Sequence, residues 1–395
     1  MTILIIGQLP KEAGGTYTTG IARVVENLYK KEFGGARTIW YFTNVPNRVA
    51  RRIEHPMAIY NGYRMMPFRM IVNMICSPLQ TIREWKSYIK YNINPLRFEF
   101  YKANFKYILN NTKLDLVHLH GDGLLPLFFA NRKSKIPILL TFHGIMYNES
   151  DKNSWHFKEG YEETMRMAEY FTVLNDETKR KALALGMPNN KYTVIPNGVD
   201  TGRFYYSIEK REAIRKQMAV ASNTIVFITT GVVIDRKGQY DFLQVLESLN
   251  IDYQYWIIGK GPDEQKIAEY SREKQIDGKI KLLGYIDGRE LYMYLSAADI
   301  YAHVSTTEGQ ALSEIEAYAT GLKVIVRKEI AATVIGDAFE DHDNYYIIDM
   351  DSYSTSGLQD WVTNRRSERS SRSNFDWSAI AEMYAKYYYS IIESL

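Results

Sequence analysis

The stretch from Ser305 to Val326, STTEGQALSEIEAYATGLKVIV, holds three acids, Glu308, Glu314 and Glu316, within nine positions. Glu308 and Glu316 are eight apart, and Gly309 follows the first directly. The preceding ADIYAHVS has a buried-strand pattern, TTEGQ is a turn, and ALSEIEAYATG reads as a helix with Gly321 at its C′ position. In an open α/β sheet a ligand sits outside the carboxyl ends of the strands, which would put Glu308 at the mouth of a site. Glu316 would lie about 12 Å farther along the helix axis, at a rise of 1.5 Å per residue. Carboxylates that far apart do not form an acid/base dyad. They suit a long hydroxylated ligand, each acid accepting hydrogen bonds at one end, while backbone N–H groups at the helix start are a ready anion site. The plainer reading of so undemanding a spacing makes Glu314 and Glu316 solvated acids of a helix face.

Such a turn needs a sheet to hold it. Strand-length apolar runs recur along the chain: ILIIG, RTIWYFT, LDLVHLH, PILLTFHG, YFTVLN and YTVIPNG, then TIVFITTG, YQYWIIGKG, IKLLGY, DIYAHVS, LKVIVR and YYIID. Polar amphipathic stretches of helical length separate most of them, the pattern of parallel sheets covered by helices. The runs fall into two groups of about six, which predicts two doubly wound domains, with a boundary at the Pro196, Asn197 and Gly198 turn cluster. A chain of 395 residues is also too long for one typical core. Apolar content of 46% and charged content of 24% belong to a soluble globular protein. A net charge of +3 offers no global argument for nucleic acid. One cysteine, Cys76, excludes an internal disulfide and suits a reducing compartment. MTILIIGQLP lacks a basic leader and reads as a first strand, and no apolar window is long enough to predict a transmembrane helix.

The segments around the two acids are similar, in kind and order, to the retaining GT-B glycosyltransferases of family 4. GQLPKEAGGTYTTGIARVVENL resembles the family's Gly-rich first loop and helix, and DLVHLH and TFHG its middle N-domain strands. VIPNGVD with Phe204 resembles the interdomain segment. TTGVVIDRKGQYDFLQVL, IIGKGPDEQKI and IKLLGYIDGRELYMYLSAADIY follow in the family's order, and FDWSAIAEMYAKYY resembles the helix that crosses back. Residues 45–110 resemble it least. The resemblance implies an α/β GT-B fold, with two Rossmann-like doubly wound domains facing a cleft. These would be an acceptor-side domain at 1–200, a nucleotide-sugar-binding domain at 201–374 and a C-terminal helix at 375–395 returning to the first.

The resemblance also assigns residues. Gly14 and Gly15 would let backbone amides approach a phosphate with no Cβ in the way. Lys237, in DRKG, matches the lysine that steadies the leaving diphosphate, a point charge where negative charge builds up. Glu308 matches the acid that holds donor-sugar hydroxyls, and Glu316 the acid that holds the ribose. Gly309, Gln310, Ala311 and Leu312 would offer backbone amides to sugar and phosphate. His143, in TFHG, would approach the donor sugar and phosphate. The chain departs from the family at Gly231-Val232, where an arginine is usual; Arg236, beside Lys237, is the candidate replacement.

Two other patterns imitate metal sites. Asp349, Met350 and Asp351 form a DMD that follows the YYII strand, where the family has an acidic turn. His118 and His120 share one strand face without an acid or cysteine at metal spacing, so core or cleft histidines are expected. The implied activity is metal-independent retaining transfer of a hexose from a nucleotide-diphosphate donor, a UDP-sugar being expected. The acceptor would be a hydroxyl of a glycan, a lipid-linked sugar or a protein. The alternatives are a GT-B nucleotide-sugar epimerase or hydrolase, or a non-catalytic glycosyltransferase-like partner subunit. Residues 48–106 carry eleven Lys or Arg against three acids, a balance of +8 within a chain of +3. Interleaved Trp, Tyr, Phe and Met suit an anionic membrane surface. Solvated helix faces, or an acidic glycan or protein partner, are the competing readings. The expected location is cytoplasmic, or peripheral at the inner face of the membrane.

Overall fold

The computed structural model describes residues 1–8, 19–29, 31–43, 53–55, 57–60, 66–90, 95, 108–121, 136–145, 158–364, 369–372 and 374–395. The chain forms two compact units, Met1–Pro196 with Trp377–Leu395, and Asn197–Asp376.

The first unit is built on an eight-stranded sheet. Its strands are β1 (Thr2–Gln8), β2 (Arg37–Thr43), β3 (Ile53–His55), β4 (Met57–Tyr60), β5 (Leu116–His120), β6 (Ile138–Phe142), β7 (Tyr170–Val173) and β8 (Tyr192–Val194). They lie in the order β3-β4-β2-β1-β5-β6-β7-β8. Every pairing is parallel except β3 with β4. Strands β5 and β6 are buried at every position, which explains why they read as continuous rather than alternating apolar runs. The helices described over their full length are α1 (Gly20–Tyr29), α2 (Met66–Cys76), α3 (Pro78–Lys90), α4 (Lys158–Met167) and α5 (Asp176–Ala184). Helix α1 buries Ala22, Val24, Val25 and Leu28, one apolar stripe at helical spacing. Helix α5 starts after Asn175, whose side-chain oxygen accepts from the Thr178 amide at 2.8 Å.

The second unit holds six parallel strands, β9 (Ile225–Thr230), β10 (Tyr253–Ile258), β11 (Ile280–Gly284), β12 (Ile300–His303), β13 (Lys323–Arg327) and β14 (Tyr345–Ile348). Their order, β11-β10-β9-β12-β13-β14, reverses between β9 and β12, the doubly wound arrangement. The helices are α6 (Ile208–Gln217), α7 (Gln239–Glu247), α8 (Glu264–Glu273), α9 (Gly288–Ala297), α10 (Leu312–Ala319) and α11 (Thr355–Thr363). Two buried clusters cover the sheet: Val226, Ile228, Ile315 and Val324 belong to one, and Phe227, Phe242, Tyr255 and Ile325 to the other. Helix α12 (Trp377–Glu393) belongs to the first unit. It buries Ile380, Tyr384, Tyr388 and Ile391, and the Tyr389 hydroxyl donates to the Gly34 carbonyl at 2.8 Å.

All twelve apolar runs are strands. The expectation of about six strands per group holds in the second unit and falls short in the first, where β3 and β4 add an edge hairpin. IEH and MAIY, separated by Pro56, are too short to show periodicity.

Candidate functional site

The reversal between β9 and β12 creates a crevice at the carboxyl ends of two neighbouring strands, and the loops that follow them are braced together. After β9 comes a single 3-10 turn, Asp235–Lys237, closed by Gly238 at φ 68 before α7. A Cβ on Gly238 would stand 2.3 Å from the Val304 carbonyl oxygen, so only glycine lets the two loops approach. The Thr306 amide donates to the Arg236 carbonyl at 2.9 Å. In the opposite sense, Arg236 Nη1 donates to the Thr307 carbonyl at 2.7 Å. Gly259, at the end of β10, has φ +137 and lies where a Cβ would be 1.7 Å from the Gly231 carbonyl oxygen, which packs a third loop against the first.

This bracing brings Lys237 and Glu308 together. Lys237 Nζ lies 2.5 Å from Glu308 Oε1, and Arg236 Nη1 lies 3.2 Å from the same oxygen. The Glu308 and Lys237 side chains are only 12% and 18% exposed, whereas Arg236 is 41% exposed. Burial pushes the Glu308 pKa up, but Lys237, His303 and Arg236 outweigh it, and the carboxyl is held below its usual range. The result is two cations converging on one oxygen of the protein's own carboxylate.

Beyond Glu308 the chain enters α10 through Gly309, Gln310 and Ala311. Gln310 Oε1 accepts from the Asn197 amide at 2.7 Å, and its carbonyl accepts from Asn197 Nδ2 at 3.1 Å. Ala311 occupies the N-cap position and makes no side-chain cap, leaving the first amides of α10 to other acceptors. Gly321, at φ 77, follows the helix as expected. The solvated reading of the two helix acids does not hold: Glu314 is 0% and Glu316 5% exposed, because α10 is covered on more than its sheet face. Glu314 accepts from the Ile335 amide at 3.2 Å and lies 2.7 Å from the Tyr345 hydroxyl. Burial pushes its pKa up to about 8, outweighing the opposing influence of the neighbouring Tyr345 hydroxyl and Ile335 amide. Glu316 sits two residues on, inside the same covered helix.

Position 232 is a 53% exposed valine. Gly14 and Gly15 lie outside the described residues. Asp349 of the DMD pattern pairs with Lys328 Nζ at 3.0 Å and accepts from the Asp351 amide, the behaviour of a turn acid.

In the first unit, His118 and His120 point to the same side of β5 with ring centroids 4.2 Å apart. His118 is fully buried, with Nδ1 2.6 Å from the Tyr388 hydroxyl of α12 and Nε2 2.7 Å from Thr141 Oγ1. His120 Nδ1 lies 3.1 Å from Nε2 of His143, just beyond β6, and its own Nε2 is buried with no hydrogen-bond partner among the described residues. Burial lowers the pKa of His118 to about 3 and of His143 to about 4, so all three rings are neutral near pH 7.

In the second unit, one residue has no motif that marks it in the sequence and another is read there with the wrong surroundings. His303, on β12 and 4% exposed, lies close enough to the pair for Glu308 to raise its pKa and for Lys237 and Arg236 to lower it; burial dominates and takes it to about 4. Its only sequence signal is its place on the strand that leads to Glu308. Glu314 was visible, but its burial was not.

Residues 210–369 match the family described as glycosyl transferases group 1, and residues 78–203 match Glycosyltransferase Family 4. The alpha-monoglucosyldiacylglycerol synthase of Acholeplasma laidlawii is 25% identical over 243 residues, covering 55% of this chain and 60% of that protein. The UDP-Gal:alpha-D-GlcNAc-diphosphoundecaprenol alpha-1,3-galactosyltransferase of Escherichia coli is 25% identical over 266 residues, 65% of each chain. The chain thus spans about three-fifths of the curated relatives it matches. Among solved structures, a sucrose-phosphate synthase from Thermosynechococcus elongatus superimposes over 100% of both chains with a TM-score of 0.67 and 14% identity. The Anabaena protein HepE in complex with UDP does so over 100% of this chain and 99% of its own, with a TM-score of 0.63 and 16% identity. These likenesses show a two-domain GT-B fold.

Proposed function

This chain belongs to the group 1 glycosyl transferases of family 4, and on that premise we propose that it transfers a hexose, with retention, from a nucleotide-diphosphate sugar to an acceptor hydroxyl. The observation that carries the reading is the convergence of Lys237 and Arg236 on one oxygen of Glu308 at the strand-order reversal. Two cations there match the charge of a donor diphosphate. When the diphosphate enters, it takes over the cations. Glu308 is then released to accept hydrogen bonds from hydroxyls of the donor sugar. Glu316 accepts from the ribose, and the amides of Gly309, Gln310, Ala311 and Leu312 receive the sugar and phosphate oxygens. For Gly14, Gly15 and His143 we propose the donor contacts that the family resemblance implies.

In the transfer itself the bond from the anomeric carbon to the phosphate oxygen breaks, and the acceptor oxygen bonds to the same face of that carbon. The departing phosphate oxygen takes the acceptor proton. Lys237 and Arg236 stabilise the growing negative charge, so no metal is required. Arg236 supplies the second cation that position 232 lacks. UDP is the nucleotide we propose, supported by the UDP complex of the HepE structure and the UDP-galactose in the name of the E. coli relative. The acceptor we propose is a lipid-linked sugar, as the names of the two curated relatives contain lipids; a free glycan or a protein is the alternative outcome. The basic segment 48–106 would then face an anionic membrane, from the cytoplasmic side. Among the described residues, no helix is long and apolar enough to cross a membrane.

A thermal-shift panel with UDP-, GDP- and ADP-sugars tests the donor, since ligand bound to the folded state raises stability by RT ln(1 + [L]/Kd). Product analysis with the stabilising donor then gives the anomeric configuration, and chelator should leave the rate unchanged. Stabilisation by none of the three classes would sink the donor reading, and inversion at the anomeric carbon would sink the retaining one.

A further inference from the structure

The helices α2 and α3 present an apolar face to solvent that no other part of the described chain explains. On α2 the exposed residues are Phe68 (75%), Ile71 (49%), Val72 (40%) and Ile75 (70%). Their i, i+3, i+4, i+7 spacing puts them on one stripe. Only Ser77 separates this helix from α3, which Pro78 starts. Helix α3 has two faces. Thr81, 8% exposed, and Trp85, packed against the core of the first unit, lie on one. Leu79 (82%), Ile82 (56%) and Ile89 (65%) lie on the other. That second face also carries Arg83 and Lys86, both exposed. Arg51, Arg52 and Arg64 lie outside the described residues, and the side chain of Arg69 is not described.

We propose that this paired-helix face inserts into the headgroup and upper acyl region of an anionic lipid bilayer. The proposal deepens the membrane reading above and rests on it: that reading requires only charge attraction, whereas this one assigns the inserting residues. Isolated apolar side chains on a surface are ordinary, but an exposed stripe at helical spacing on each of two consecutive helices, seven side chains in all, has the character of an interaction surface. Charge selects the occupant. The surrounding segment carries eleven Lys or Arg against three acids, so a second copy docked face to face would set like charge against like. An anionic bilayer offers the complementary pair of surfaces, acyl chains for the isoleucines and leucine, and phosphate oxygens for Arg83 and Lys86, whose stems can lie along the apolar face.

The test uses the full chain and vesicles of phosphatidylcholine with phosphatidylglycerol. The wild-type protein should co-sediment at about 0.1 M salt and retain part of its binding near 1 M, where the Debye length is only about 3 Å and attraction between exposed charges is screened. The triple variant Ile75→Ser, Leu79→Ser, Ile82→Ser should fold normally, because all three side chains are exposed, and should lose the salt-resistant fraction. Arg83→Ser with Lys86→Ser should weaken binding chiefly at low salt. UDP binding should be unchanged in both variants. If the triple variant binds vesicles like the wild type at both salt concentrations, insertion is wrong while the charge-based membrane reading stands. If the wild type binds no vesicles at low salt, both fail. If the wild type instead forms a dimer that the triple variant abolishes, the face belongs to a second copy and the proposal is overturned.

Discussion

The Tyr345 hydroxyl lies 2.7 Å from Glu314 Oε1 and 2.6 Å from the Ile335 carbonyl, two oxygens with one hydroxyl proton between them. A carboxylate and a carbonyl cannot both accept that proton. A protonated Glu314 resolves the conflict: it donates to the tyrosine oxygen, and the tyrosine donates to Ile335. The raised pKa of about 8 agrees with this arrangement.

The pH dependence follows. Folded Glu314 titrates near 8 and unfolded glutamate near 4.5. Its stabilising contribution is complete below about 4.5 and is lost as pH rises toward 8, where the unfolded state has released a proton that the folded state still holds. Glu314→Gln should keep the hydrogen-bond pattern, with its amide donating to Tyr345 and its oxygen accepting from Ile335. In thermal melts the variant should gain on the wild type as pH rises from 4.5 to 8. A difference in melting temperature that is flat across this window would show that Glu314 is ionised in the fold.

Glu308 and Lys237 should separate in function. Glu308→Gln should cut turnover by about a hundredfold or more, the scale of losing one charge-positioning group, while UDP binding persists. Lys237→Ala should lower turnover and weaken UDP about tenfold or more, as expected for a hydrogen bond to a charged group. Glu316→Ala should weaken UDP while leaving inorganic pyrophosphate binding unaltered, because only the nucleoside is lost to it. Titration calorimetry and initial rates measure these effects; full activity in Glu308→Gln would remove its proposed role.

Val232→Arg adds a cation at an exposed position near Lys237. Because Arg236 already supplies the second cation, UDP and pyrophosphate affinity should change by less than about threefold, whereas Arg236→Ala should weaken both about tenfold or more. Tightening of about tenfold in Val232→Arg, with no loss in Arg236→Ala, would remove Arg236 from that role.

The histidines act on stability in the opposite pH direction to Glu314. His118 and His143 have folded pKa values of about 3 and 4 against an unfolded value of 6.5, and His303 about 4. Below 6.5 the unfolded chain takes up protons that the folded chain refuses, so stability present above 6.5 should fall as pH drops toward 4. Tyr388→Phe, which strips His118 of a buried partner, should cost about 1–3 kcal/mol in denaturant melts. In the Glu314→Gln background, which removes the opposing carboxyl titration, a melting temperature that is constant between pH 6.5 and 4 would contradict the neutral cluster.

The order of the strands within each sheet was not legible along the chain, whereas the two groups of strands and the spacing from Glu308 to Glu316 were. Those features depend on local periodicity and turn residues, which survive in one dimension: twelve apolar runs became β1, β2 and β5–β14. The edge strands β3 and β4 stayed hidden because strands of three and four residues carry too little pattern. The tertiary structure alone decided what each acid does. Glu308, Glu314 and Glu316 look alike along the chain, yet one meets Lys237, 71 positions away, and one is sealed against Tyr345, 31 positions away. The charge state of a carboxyl depends on which atoms surround it in space. A helix covered on several faces offers two neighbouring glutamates different surroundings that their order in the sequence does not encode.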